Sequence, residues 1–154
     1  MQRKKGEGKA KRRDPAVTSK IMAAVRGKDT RPEVALRQAL HSRGLRFRVH
    51  YGRVPGRPDI VFPRRKLAVF IDGDFWHGNS WRARGFGSLK DQLERWRNAS
   101  FWTAKIRGNM RRDKQVNRQL RRLGWTVLRF WESDLGKRLR SCVRTVEVAL
   151  KRTA

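Results

Sequence analysis

Two carboxylates flank a short pair of apolar runs in residues 54–77, VPGRPDIVFPRRKLAVFIDGDFWH. The runs at 60–62 and 67–71 are separated by a basic link, a pattern typical of two strands joined in a hairpin. Asp59 precedes the first run and Asp72 follows the second. Because the start of one antiparallel strand lies beside the end of the next, we expect both carboxylates at one edge of a sheet.

The chemistry of that edge depends on what pairs with its carboxylates. A carboxylate among apolar residues is costly unless it is paired. Arg57 could pair with Asp59 as a purely structural partner. Alternatively Mg²⁺ binds there, since it typically takes one or two carboxylates and fills its other positions with water and phosphate oxygens. His77 follows closely in the chain, and a histidine near its ordinary pKa can accept a proton at neutral pH.

Glu33 has two interpretations, which are compatible. It stands three residues after Thr30, the spacing of a capping box at the start of a helix. It could also reach the acidic edge and hold a water molecule beside a metal ion. A helix N-terminus favours a carboxylate in either role.

The charge balance points to a polyanion. The 154 residues carry a net charge of +27, and self-repulsion of that size does not help a fold. We therefore expect salt-sensitive nucleic-acid binding rather than a merely soluble basic protein. A membrane partner is not expected, because no apolar run approaches about 18 residues. The sequence opens with no signal peptide and its only cysteine is Cys142, so we expect a cytoplasmic protein without a disulfide or a thiolate zinc cluster.

Aromatic and arginine side chains alternate after His77. The segment 78–87 contains Trp81, Arg82 and Arg84, which suit stacking on bases and pairing with phosphates. A core cluster is the competing explanation for Trp81 and Phe86.

The periodicity predicts a mixed sheet with helices packed on it, in the order α-α-β-β-β-α-β-α. A basic arm at 1–17 is expected to be disordered. The four helices of this order cover residues 19–25, 30–44, 101–123 and 139–151, and residues 89–97 are compatible with a further short helix. The predicted strands cover residues 45–51, 60–62, 67–71 and 125–131.

Four blocks in order, PGRPD, VFIDGDFWH, FWTAKIRGNMRRD and LGWTVLRFWE, resemble the very-short-patch repair endonucleases over residues 18–149. The resemblance implies an α/β fold: a single-domain, three-layer PD-(D/E)XK-like core at 18–154, with a mixed β-sheet flanked by helices. It also implies Mg²⁺-dependent nicking of one strand of double-stranded DNA, on the 5′ side of the thymine in a T:G mismatch. A monomer is the default, and other DNA repair proteins are the partners that such a role would bring.

The resemblance also assigns roles to residues. Asp59 matches the metal-binding carboxylate, and Ile71 sits where a backbone carbonyl serves as a second ligand. His77 matches the histidine that activates the attacking water, and Glu33 matches the glutamate that holds a metal-bound water. Asp72 departs from the histidine of the best-known member, so it is a candidate for a direct metal ligand.

Three aromatics, Phe75, Trp76 and Trp102, match those wedged into the duplex beside the mismatch. An aromatic wedge opens the stack at a weakly paired step. The other predicted DNA contacts are Arg57, Trp81, Arg82 and Arg84.

One departure concerns the structural zinc of the family. The matching positions are Asp74, the segment 78–80 and Ser133, and none offers a thiolate. The sequence therefore predicts that zinc is absent and that packing or a salt bridge, for example Asp74 with an arginine, holds the loop after His77.

Two alternatives to T:G nicking stay open. One is a related nuclease that acts on another mispair or base lesion. The other is an inactive basic DNA-binding protein on the same core. The intact set Glu33, Asp59, Asp72 and His77 favours an enzyme, since an inactive relative would be expected to have lost one of them.

Overall fold

The computed structural model describes residues 28–153, so the predicted arm at 1–17 and the predicted helix at 19–25 lie outside the described part. Residues Arg31–Ala154 form one compact unit. The helices are α1 Arg31–Ser42, α2 Ser80–Ala83, α3 Leu89–Glu94, α4 Ala99–Arg122 and α5 Glu132–Arg152. The strands are β1 Ile60–Phe62, β2 Leu67–Asp72 and β3 Thr126–Trp131.

The predicted hairpin is confirmed. Strand β1 runs antiparallel to β2, with Ile60 opposite Val69. The basic link between them forms a short 3-10 turn that closes with Lys66 in the left-handed region, at a φ of +44°. Strand β3 adds parallel to β2 on its other side, so the sheet is mixed and its order is β1-β2-β3.

Helices cover both faces of the sheet. Alternate residues of β2 face opposite sides, and helices α1 and α5 pack on one side while α4 packs on the other. The first core contains Leu36, Leu40, Ile60, Leu67, Val69, Leu135, Val143 and Val146. The second core contains Val54, Val61, Ala68, Phe70 and Leu120. The chain therefore has the predicted three-layer α/β architecture of the PD-(D/E)XK-like class.

The strand predicted over 45–51 is wrong. Only Arg48 pairs with the sheet, in an isolated antiparallel bridge to Val61. Leu45 and Phe47 pack against the first core and Tyr51 against the second, but between them Val49 is exposed and His50 has a φ of +52°, outside the extended region. The apolar face is therefore interrupted at Val49, and the left-handed backbone at His50 ends the extended conformation before the pairing can continue.

Two helix starts also differ from prediction. Helix α4 begins at Ala99, after Asn98 in the left-handed region, rather than at 101 behind a Ser100 cap. Helix α5 begins at Glu132 rather than near 139, with a break in helical geometry at Arg138. Within residues 28–153, no helix combines the length and apolar character needed to cross a bilayer.

Candidate active site

Asp59 lies immediately before β1 and extends its pairing with β2. Its Oδ2 accepts a hydrogen bond from the backbone N–H of Ile71 at 2.6 Å. Burial raises the pKa of Asp59 to about 6, and the nearby Glu33 and Asp72 carboxylates add to the rise, while the Ile71 N–H and the charge of Arg37 oppose it. Arg57 is exposed and forms no ion pair with Asp59 in the described structure. The negative charge of Asp59 is therefore only partly compensated by the protein.

Glu33 brings a second buried carboxylate to this edge from the first turn of α1. It is 4% exposed, and Arg37 Nη2 lies 3.1 Å from its Oε2. The repulsion that raises the pKa of Asp59 is what a divalent cation would relieve. Carboxylate oxygens and a strand carbonyl are hard ligands of the kind Mg²⁺ prefers, so these residues fit the implied metal.

Asp72, at the end of β2, has a protein cation as its partner. Arg129 on β3 contacts both carboxylate oxygens, with Nε 2.7 Å from Oδ2 and Nη2 3.0 Å from Oδ1. The same Nη2 donates to Asp113 Oδ1 at 2.9 Å. Asp72 therefore belongs to an arginine-centred cluster, which we call the Arg129 cluster: Asp72, His77, Asp113, Asn117 and Arg129.

His77 is oriented by Asp113, a residue that sequence reasoning missed. Its Nδ1 lies 2.5 Å from Asp113 Oδ2 and 3.7 Å from Asp72 Oδ1. An ionised carboxylate can only accept, so Nδ1 carries the proton and Nε2 is the nitrogen that can take another. Burial lowers the pKa of His77, but the hydrogen bond to Asp113 and the charge of Asp72 outweigh burial and raise it. Asp113 is the only acidic residue of α4, a signal that could have singled it out.

One face of α4 positions the loop that carries His77. Asn109, Asp113 and Asn117 recur every four residues, so their side chains lie on one stripe. Asn109 Nδ2 donates to the carbonyl of Trp76 at 2.9 Å, and Asn117 Oδ1 accepts from Arg129 Nη1 at 2.9 Å. The polar stripe thus fixes the backbone before His77 as well as the acid behind it.

The predicted wedge aromatics lie together. Phe75, Trp76 and Trp102 are joined by two aromatics that sequence reasoning missed, Trp96 and Phe101. We call these five the aromatic cluster. Phe75 stacks on Trp96, with ring centroids 5.5 Å apart, and meets Trp76 edge-on at 4.8 Å. Phe101 is 60% exposed, so the cluster offers an open apolar edge.

The predicted DNA contacts in the segment 78–87 lie in two different surroundings. Arg84 lies over the ring of Trp96, 5.9 Å from its centroid, and so borders the aromatic cluster. Arg82 instead lies over its neighbour Trp81 at 5.0 Å. Trp81 is half-buried, and its carbonyl accepts the N–H of Phe86.

Neutral donors hold Asp74, rather than the arginine expected from the sequence. Asp74 Oδ1 accepts from Asn79 Nδ2 at 2.6 Å and from Ser133 Oγ at 2.7 Å. Its Oδ2 accepts the backbone N–H of Ser133 at 3.0 Å. We call these three residues the Asp74 clasp, and it ties the loop after β2 to the start of α5.

The fold and this site define a class of protein. A mixed sheet covered by helices presents a half-buried carboxylate at the start of one strand, a buried glutamate from a neighbouring helix, and a carboxylate-oriented histidine just after the next strand. These are the features of a PD-(D/E)XK-like nuclease.

Comparisons with known proteins identify the family. Residues 10–83 match the family described as DNA mismatch endonuclease Vsr. A Type II nicking enzyme, V.NmeDIP of Neisseria meningitidis serogroup C, is 41% identical over 137 residues, which cover 89% of this chain and 88% of that protein. The nicking enzyme V.XorIIP of Xanthomonas oryzae is 45% identical over 120 residues, 75% of this chain and 82% of the relative.

The DNA mismatch endonuclease Vsr of Escherichia coli is 35% identical over 122 residues, 79% of this chain and 73% of that protein. The chain belongs to the Vsr endonuclease family, and it is a DNA endonuclease.

Proposed function

We propose that this endonuclease nicks one strand of duplex DNA at a T:G mismatch in a Mg²⁺-dependent reaction. The observation that carries the proposal is the placement of His77, oriented by Asp113, in the same site as Asp59 and Glu33. The names of the relatives support cleavage of one strand and action at a mismatch, since some are nicking enzymes and one is a mismatch endonuclease. The proposed site residues are those predicted from the sequence, with Asp113 added and with Asp72 assigned as a partner of Arg129 instead of a metal ligand.

The roles in the reaction follow from the geometry. Asp59 and the Ile71 carbonyl would hold Mg²⁺, and Glu33 would orient a water molecule in the same site. When bound, the ion neutralises charge on the scissile phosphate. His77 accepts the proton of the attacking water at Nε2, and Asp113 stabilises the resulting imidazolium through Nδ1.

Mismatch selection is assigned to the aromatic cluster. Apolar side chains that enter a base stack unstack it at an energetic cost, which is lowest at a weakly paired step. The exposed edge of the cluster at Phe101 and the neighbouring Arg84 suit contact with bases and phosphate. Arg57 and Arg82 are exposed and remain the predicted phosphate contacts.

The direct test is a cleavage assay on end-labelled duplexes, in which homoduplex, each mispair and each deaminated base are compared with Mg²⁺ and with EDTA. We expect a Mg²⁺-dependent nick confined to the thymine strand of T:G. Cleavage at another lesion would reassign the substrate and keep the chemistry. If no duplex is cut, the inactive DNA-binding protein becomes the better explanation.

Replacing Trp76 tests the wedge. Trp76→Ala removes a ring that contacts both Phe75 and Trp102, so the preference for T:G over homoduplex should fall about 10-fold, since stacking on one base contributes roughly 1–3 kcal/mol. Affinity for plain duplex should change less. Trp76→Phe keeps an aromatic ring and should retain most of the preference. An unchanged ratio of the two affinities in Trp76→Ala would rule out the wedge.

A further inference from the structure

Arg129 lies at the centre of the active site without any donor directed to substrate. Its side chain is 19% exposed, and its guanidinium carbon lies 4.5 Å from the ring centroid of Phe70. Nε donates to the Asp72 carboxylate, and Nη2 donates to the carboxylates of Asp72 and Asp113. Nη1 donates to Asn117 Oδ1 and, at 3.4 Å, to the Asp113 carbonyl. A guanidinium has five N–H donors, and these contacts employ all three of its nitrogens.

The acids that Arg129 binds would otherwise form a metal site. Asp72, His77 and Asp113 each offer a ligand atom, and these atoms lie within 4.8 Å of one another. Arg129 already supplies a positive charge to this group, hydrogen-bonded to both carboxylates. A divalent ion placed there would lie against a fixed cation in a partly buried site, where like charges repel more strongly than in water.

Asp59 presents the opposite situation. It lies near the Glu33 and Asp72 carboxylates and accepts a hydrogen bond from the neutral N–H of Ile71. Among the described residues, the one cation that acts on it, Arg37, pairs with Glu33 at 3.1 Å rather than with Asp59. A divalent cation gains the most binding free energy beside the carboxylate whose negative charge the protein compensates least. The favoured place for an ion is therefore beside Asp59.

We propose that Arg129 is a built-in cation that withdraws Asp72 from metal binding, fixes His77 through Asp113, and limits the enzyme to a single catalytic ion at Asp59. The proposal rests on the Mg²⁺-dependent cleavage proposed above. Arg129 is then a positioning residue that acts through Asp72 and Asp113. The pairing also accounts for an arginine between Leu128 and Phe130 in an otherwise apolar strand, because β3 places it beside the end of β2.

Ion counting without DNA tests the proposal. Titration calorimetry with Mn²⁺ should give one site per chain in the wild type. Arg129→Met keeps the length of the side chain and removes its charge, so it frees the Asp72, His77 and Asp113 ligands and should raise the count to two. Arg138→Met is the matched control, since Arg138 pairs with Asp134 on the exposed surface of α5 and should leave the count at one.

A second variant covers the case in which Arg129→Met does not fold, as judged by circular dichroism. If Asp72 is no ligand, Asp72→Asn should leave the affinity for Mn²⁺ within about 2-fold of the wild type. Removal of a residue that supports a metal ligand commonly weakens metal affinity 10- to 100-fold. Two ions on the wild type, or a 10-fold weaker ion in Asp72→Asn, would overturn the proposal. So would a single ion on folded Arg129→Met.

Cleavage kinetics separate this proposal from the proposed function. On the T:G duplex, Arg129→Met should lower kcat about 10- to 100-fold with KM nearly unchanged, because it disturbs the orientation of His77 and not DNA contact. Arg129→Lys, which keeps the charge, should recover part of kcat. If the wild type cuts no duplex, the proposed function fails, while the ion counts still decide the role of Arg129.

Discussion

Asp59 and Asp72 begin from similar sequence contexts and reach opposite electrostatic states. Each lies at the end of a short apolar strand, and the hairpin brings those ends to one side of the sheet. Asp72 gains a two-point contact from Arg129, whereas Asp59 gains one backbone N–H, two acidic neighbours and only a more distant cation, Arg37. The protein thus neutralises the charge of Asp72 itself and leaves the charge of Asp59 only partly compensated.

This difference separates a positioning role from a binding role. A paired, buried carboxylate is held rigidly, and removal of one partner of such a pair typically costs about 3–5 kcal/mol. A buried carboxylate with a raised pKa destabilises the fold when ionised, and it binds a metal ion with a corresponding gain. Variants on each side of the comparison should therefore behave differently.

The largest effect is expected at Asp59. Asp59→Asn can still accept the Ile71 N–H, but it loses the charge that binds the ion. Cleavage should fall about 10³-fold or more, equivalent to several kcal/mol of transition-state stabilisation. Affinity for DNA should persist, since a negative charge near phosphate is removed. An equal loss of binding and cleavage would argue against the metal role.

The same variant is expected to be more stable than the wild type when metal is removed by EDTA. The folded-state pKa of Asp59 is raised to about 6 from 3.8, so its ionised form opposes folding at neutral pH. Removing that charge should add about 1–3 kcal/mol to the free energy of unfolding. Denaturant-induced unfolding in EDTA measures this free energy. If Asp59→Asn were less stable than the wild type, the protein itself would compensate the charge of Asp59.

A smaller effect is expected in the Arg129 cluster. Asp113→Asn removes the charge that orients His77 and one charged partner of Arg129. We expect cleavage to fall about 10- to 100-fold at unchanged DNA affinity. Asn117→Ala is the matched control, because it removes a partner of Arg129 without touching His77. Equal losses in the two variants would show that the cluster stabilises the fold and has no role in orienting the histidine.

The smallest effect is expected at Asp74, a third carboxylate, which is held by neutral donors. Ser133→Ala removes the 2.7 Å hydrogen bond to Asp74 and leaves the backbone N–H of residue 133 and the amide of Asn79 in place. The free energy of unfolding should drop by about 1 kcal/mol, with cleavage changed less than threefold. Ser141→Ala, on the exposed face of the same helix, should be within about 0.5 kcal/mol of the wild type.

Local signals were sufficient for the parts of the site that adjoin the hairpin. The two apolar runs predict β1 and β2, and the placement of Asp59, Asp72 and His77 around them follows from antiparallel geometry. The helix at Glu33 follows from its capping pattern. These features depend on residues within a few positions of one another.

The periodicity of apolar residues does not predict contacts between segments that are far apart in the sequence. Asp113 meets His77 across 36 positions, and Arg129 meets Asp72 across 57. In the sequence, Asp113 is one acid within a basic helix, and Arg129 interrupts a strand. Trp96 likewise joins Phe75 only because α3 folds back beside α4. The strand predicted over 45–51 is wrong for another reason: its apolar residues reach the cores, but only Arg48 pairs with the sheet and the backbone turns at His50.

The Asp74 clasp has a consequence for the conditions under which this enzyme works. Its three members contribute only oxygen and nitrogen atoms, and Cys142, the single cysteine, lies buried in the core. Thiolates that hold a metal are oxidised and lose it, but an aspartate bound to an amide and a hydroxyl has no oxidation chemistry. The loop that carries His77, the proposed general base, is therefore anchored by side chains that have no thiol to oxidise.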